Sequence, residues 1–198
     1  SVTTRLRGAP GTELGFEILG AEMRTLGLDC GIVTIDPPGE AATIKYLSFN
    51  PALLRQVEKT TGISGKDYVI PKQHWPGDRI LKEKQPIWYA DPQAYIRKMF
   101  PQIPDKLAYW ALQLLGIQPA SQICILPLLV EEKLIGAMPI WGADLHPADN
   151  PVLTLFASQV AEVLQNTLIR ENETLRANEL ARSNAMVLAL SKVATVLG

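Results

Sequence analysis

Histidine and cysteine are nearly absent from this chain, two of each in 198 residues. His74 and His146 lie far apart, and neither has a cysteine and an acidic residue beside it at metal-ligand spacing, so no metal site is expected. Cys30 and Cys124 form no C-x-x-C pair and read as two buried, reduced thiols. Charge of one sign is also missing. Nineteen Lys and Arg face twenty Asp and Glu, which argues against nucleic acid as a partner. No apolar run approaches the roughly 20 residues that span a bilayer, and no signal peptide is visible. The expectation is a cytoplasmic chain with no membrane span in this segment. Phosphate-binding glycine fingerprints, H-E-x-x-H and G-x-S-x-G are absent as well. GISG at 62–65 imitates a nucleic-acid clamp but follows a capped helix, and reads as a stop and a turn.

What remains is enough to build a core: 47% of the residues are hydrophobic and 20% charged. Leu14, Ile18, Leu19, Met23 and Leu26 recur at helical spacing over Glu13–Leu26, with Gly27 as the stop. CGIVTID, the turn PPGE and ATIKYLSFN read as a hairpin. Asn50-Pro51 opens a helix that Gly62 closes. Residues 63 to 104 read as irregular and aromatic-rich, with QPIWYAD as a short strand inside them. Leu107, Trp110, Ala111, Leu114 and Leu115 keep the 3.6 period up to Gly116. SQICILPLLVEEKLIGAMPIWG reads as two buried strands around Glu131-Glu132-Lys133, with Pro127 and Pro139 marking a bulge or an edge.

Asn150-Pro151 starts the last helix, with His146 part of its entry. Leu153, Phe156, Ala157, Val160 and Leu164 line one face, and Val152, Leu155 and Val163 make a second apolar stripe. One stripe packs on a sheet, and the other needs a second helix or a second subunit. The order helix, hairpin, helix, loops, helix, hairpin, helix predicts an α+β domain.

The segments LGLDCGIVTIDPPGEAATIKYLSFN, LLGIQPASQICILPLLVEEKLIGAMPIWG and LHPADNPVLTLFASQVAEVLQN together resemble the GAF domain family. In the last of them Phe156, Ala157, Gln159, Val160 and Ala161 fall at the family's usual positions. The resemblance implies a GAF-like, PAS-related antiparallel sheet of about six strands. The N- and C-terminal helices would pack on one face and a ligand pocket would lie on the other. The implied organisation is a lead-in over 1–11, a GAF domain over 12–168 and a connecting helix over 169–198. Bilin-binding members hold the chromophore through a cysteine that often precedes a histidine. Here His74 follows Gln73 and His146 follows Leu145, so no bilin attachment is expected. The spaced signature of cyclic-nucleotide binders is not present. Haem would have to use His74.

Candidate ligand contacts are Trp75, Trp88, Tyr95, Tyr109 and Trp110 as stacking walls, with Arg79 or Arg97 for an anionic group. The periodic position of Trp110 also fits a plain core residue. In the tail, Leu164, Leu168 and Leu175 are spaced as in a dimer seam, but Glu171, Asn178 and Arg182 continue it poorly. Glu173 with Arg176 and Glu179 with Arg182 suit a solvated helix. VLALSKVATVLG lines up with FEILGAEMRTLG at 16–27, and no initiator Met is present. The expectation is a piece of a longer protein whose next domain begins there. The implied function is a sensory module of a bacterial signalling protein, such as a two-component histidine kinase. It would form a homodimer through its terminal helices, relay a small-molecule signal, and carry no catalysis itself. Two alternatives stay open: an enzyme of the free-methionine-sulfoxide reductase type, which needs reactive cysteines, and a ligand-free dimerisation module.

Overall fold

A computed structural model describes residues 12–36, 39–75 and 77–197, so the expected lead-in lies outside the described residues. The chain divides into two compact units, Ser1–Val163 and Leu164–Gly198. In the first unit a six-stranded antiparallel sheet has the order β3-β2-β1-β6-β5-β4. Its strands are β1 (Asp29–Ile35), β2 (Ala41–Leu47), β3 (Val69–Pro71), β4 (Ile87–Tyr89), β5 (Gln122–Val130) and β6 (Lys133–Gly142). The helices are α1 (Thr12–Thr25), α2 (Pro51–Thr61), α3 (Gly77–Glu83), α4 (Pro92–Met99), α5 (Asp105–Leu114) and α6 (Asn150–Leu197).

The stop signals act as expected. Gly27, Gly62 and Gly116 take positive φ values of 70°, 72° and 80° just past α1, α2 and α5. Asn50 caps α2 by accepting the Ala52 N–H at 2.9 Å. The buried face of α1 differs from the expected one. Phe16, Leu19 and Met23 are buried, whereas Leu14 and Leu26 are exposed. The face is centred on Gly20, where a Cβ would overlap the Tyr46 hydroxyl, so the glycine lets the helix settle onto β2.

Residues 63–104 hold β4 where a short strand was expected in QPIWYAD, and they are more ordered than expected because they also hold β3, α3 and α4. Their strands have three residues each and their helices seven and eight, too short for periodicity to show. Asp91 caps α4, accepting from the backbone N–H groups of Gln93 and Ala94. The prolines behave as expected. A register shift falls between Leu128 and Leu129, close to Pro127, and the β1–β6 ladder is interrupted opposite Pro139.

β5 and β6 meet in a two-residue turn, Glu131-Glu132, between the paired Val130 and Lys133. Both glutamates have positive φ, 48° and 62°, as a type I′ turn requires and as glutamate disfavours. The Lys84 ammonium donates to the Glu132 carbonyl, a bond that a side-chain change leaves in place. Glu131→Asn combined with Glu132→Gly should therefore stabilise the domain by about 1–2 kcal/mol, seen as a higher thermal midpoint. A lower midpoint would mean that the two side chains contribute more than their backbone strain costs.

Alternation places Val33, Ile123, Ile125, Ala137 and Trp141 on one face of the sheet, in one core cluster with Ile44. Cys30, Ile32, Cys124, Leu126, Met138 and Ile140 occupy the other, all fully buried. A bulge in β2 sits between Ile44 (paired with Val33) and Tyr46 (paired with Ile32). The extra residue, Lys45, turns Tyr46 toward α1, where its ring lies 5.7 Å from that of Phe16. At the other end of the same face, the Trp88 indole N–H donates to the Asn150 side chain at 2.9 Å, holding the start of α6.

The α6 helix is one continuous run of 48 residues. Leu153, Ala157, Val160 and Ala161 are buried, as in a core helix, while Val152 and Leu155 are exposed. Among the described residues it is the one helix long and apolar enough to cross a membrane, by length and composition only. The second unit is the rest of this helix. Leu164 is buried, Leu168 half-buried, and Leu175 and Leu180 exposed.

Candidate functional site

A cavity of about 110 Å³ opens on the sheet face opposite Cys30 and Cys124. Its floor is Val33, Ile44, Phe49, Pro139 and Trp141, from the strands and the residues beside them. Leu54 and Val57 of α2, Ile96 and Met99 of α4, and Ala111 and Leu112 of α5 form its walls. Each helix presents apolar residues three or four apart, with Ala108, Ala111 and Leu112 on α5, which lets three short helices share one cover. The Phe49 and Trp141 rings meet at a tilt of 44°, with ring centroids 5.3 Å apart.

Polar groups on the walls are few. The Glu58 carboxylate accepts the Gly65 N–H at 2.6 Å. The Thr61 hydroxyl donates to the Val57 carbonyl and accepts from the Ile63 N–H. Tyr95 is buried against Tyr89, with ring centroids 5.3 Å apart, and burial drives its hydroxyl pKa well above the ordinary value. The Trp141 indole N–H is buried with no acceptor.

Of the seven residues expected to contact a ligand, Tyr95 lines this cavity. Trp75 is buried in the same core cluster, and its indole N–H also lacks an acceptor. Trp88 points to the other face, where it holds α6. Arg79 is exposed and paired with Glu83 one helical turn away, at 3.1 Å. Arg97 is exposed too, 3.7 Å from Asp105. Tyr109 is exposed, takes a hydrogen bond from Gln113, and borders a separate cleft of about 260 Å³ with Asp91, Gln93 and Gln118. Trp110 is half-buried on α5 and borders neither cavity. His74 sits in the turn after β3 and does not line the cavity either.

Sequence reading passed over Phe49, Leu112, Met99 and Trp141. The signal for Trp141 was present: MPIWG alternates along β6 and places Met138 and Ile140 on one face, Trp141 on the other. Which face is the cavity side depends on the covering helices.

Cys30 and Cys124 both pair with Ile140, from opposite sides, in one row across the sheet. Two strand spacings put them roughly 10 Å apart, beyond disulfide reach. Burial pushes each thiol up to about 12. The Cys30 N–H donates to the Ser48 hydroxyl, which itself donates to Asp29. Among the described residues no group of His, Cys, Asp and Glu is placed to hold a metal ion.

No protein-family model matches the sequence, and no curated protein matches it. Solved structures do match its fold. The GAF domain of an Acinetobacter phosphoenolpyruvate-protein phosphotransferase is 10% identical, with TM-score 0.56 over 86% of this chain and 92% of that one. The corresponding GAF domain from Coxiella burnetii is 14% identical, with TM-score 0.57 over the same shares. The phycocyanobilin-bound GAF domain of a cyanobacterial phytochrome is 14% identical, with TM-score 0.54 over 85% and 92%. The fold of this chain is that of a GAF domain.

Proposed function

On that fold, we propose that this chain is a sensory module, which binds a small molecule in the cavity beneath α2, α4 and α5 and passes the event along α6. The observation that carries the reading is the pairing of a covered apolar cavity on one sheet face with a long helix anchored on the other. Trp88 links the two chemically: its strand, β4, contributes Ile87 and Tyr89 to the cavity-side core, and its indole holds Asn150 at the start of α6. A shift of the cavity cover that moves β4 would thus bias the helix between two arrangements.

The working form is a homodimer through the terminal helices, with Leu14 of α1 and Val152 and Leu155 of α6 as the exposed apolar residues that a partner copy covers. The downstream partner is a covalently linked output domain such as a histidine kinase, in the cytoplasm. The chain performs no catalytic step in this reading and takes no bilin. The reductase alternative loses support because both thiols lie on the face away from the cavity. A dimerisation module without a ligand remains the rival reading, since the same helix stripe would serve it.

Native mass spectrometry of the purified chain, alongside the double variant Val152→Glu, Leu155→Glu, tests the proposal. A dimer that carries a small-molecule adduct, and becomes a monomer with the adduct retained in the variant, is the expected result. A dimer with no adduct favours the scaffold, and a monomeric wild type at high concentration removes the dimer relay.

A further inference from the structure

The walls of the cavity restrict its occupant more sharply than its fold does. Among the described residues no Lys, Arg or His lines it, and Arg79 and Arg97, the two arginines expected to hold an anion, pair with Glu83 and Asp105 at the surface. The one acidic wall residue, Glu58, is engaged with the Gly65 N–H, and Thr61 is engaged with its own helix end. An ion entering here would lose its water and meet no opposite charge. A sugar or nucleotide would bring many hydroxyls to a wall that has almost no free hydrogen-bonding capacity.

Size narrows the choice further. The space is about 110 Å³. An engineered apolar cavity of roughly 150 Å³ stays dry and binds benzene, whereas drug-sized ligands occupy about 300–1,000 Å³. Phe49 and Trp141 give the floor two aromatic rings, which favour a flat guest.

We infer that the cavity takes an uncharged, flat, largely apolar molecule of single-ring size. The inference rests on the proposed ligand-binding role of the same cavity and names the ligand class. It separates this chain's ligand from nucleotides and from organic anions.

The test uses the full chain with three probes, toluene, acetophenone and benzoate, followed by chemical-shift changes of the tryptophan indole N–H signals. Toluene and acetophenone should bind with saturable shifts of the Trp141 signal, and benzoate should bind at least 100-fold more weakly. Ala111→Phe, which fills the cavity from α5, should abolish the shifts. Benzoate binding as tightly as acetophenone overturns the ligand class while leaving the cavity a binding site. No saturable shift with any probe, in a chain whose spectrum shows it folded, overturns the inference, and the absence of any adduct in native mass spectra as well overturns the ligand-binding role. Shifts that persist in folded Ala111→Phe place the probes elsewhere and overturn the inference alone.

Discussion

Gly136→Val should cost the domain about 3 kcal/mol or more, a large share of the roughly 5–15 kcal/mol that holds a domain of this size folded. Gly136 sits in β6 between Thr34 of β1 and Leu128 of β5. A Cβ there would overlap the carbonyl oxygen of Val33, which belongs to the neighbouring backbone rather than to a flexible side chain. β6 is paired on both sides, so the strand cannot move away without breaking ladder hydrogen bonds. Gly62→Ala makes a useful contrast. That glycine has nothing within 4 Å of a Cβ, and only its φ of 72° opposes a side chain. Its replacement should cost about 1 kcal/mol. Urea midpoints of the two variants decide the matter. Equal costs would mean that close approach at Gly136 is relieved by the sheet.

The second large effect concerns the thiols. Native protein at pH 8 should react with a disulfide reagent at least 100-fold more slowly than the urea-unfolded chain, because only the thiolate attacks and both groups are buried. The pH dependence follows from the same burial. Cys30 has its thiol pushed from 9.0 up to about 12, chiefly by desolvation, with Asp29 adding in the same direction. Below pH 9 both folded and unfolded chains keep the proton, and the stabilising preference for the neutral thiol is fully present. Above pH 9 the unfolded chain loses the proton while the folded one holds it, so stability falls with rising pH until about 12. The loss for Cys30 alone is about 1.4 kcal/mol per pH unit in that window. Cys124 and Tyr46, also raised to about 12 by burial, act with the same sign. Cys30→Ala should flatten the alkaline slope of the denaturation midpoint. An unchanged slope would show that the thiol titrates freely in the folded state, and fast native labelling would return the reductase reading to consideration.

The helices over 51–61 and 105–114 were legible because their caps, periods and closing glycines are all local. Both hairpins were legible for the same reason, since a β-branched run, a turn and a second run are adjacent in the chain. Within 63–104 the short strand at QPIWYAD was legible, but β3, α3 and α4 were not, because a three-residue strand takes its identity from the partner it pairs with and helices of seven or eight residues show little periodicity. The seven candidate contacts share that limit. Aromatic residues in an irregular stretch mark a place where something is packed, but the sequence does not say on which side. Trp88 and Tyr95 illustrate it: seven residues apart, one faces α6 and the other the cavity.

By itself, then, the sequence determined the order of elements outside 63–104, the two antiparallel hairpins and the long final helix. Propensity, capping and alternation act over a few residues, and they suffice for those features. The tertiary structure decided which face became the cavity, through the Lys45 bulge that sends Tyr46 to α1 and through the joint cover of α2, α4 and α5. It also removed both arginines from the site by pairing them with Glu83 and Asp105. Such choices depend on residues distant in the chain meeting across a sheet, and no local pattern encodes which of them will meet.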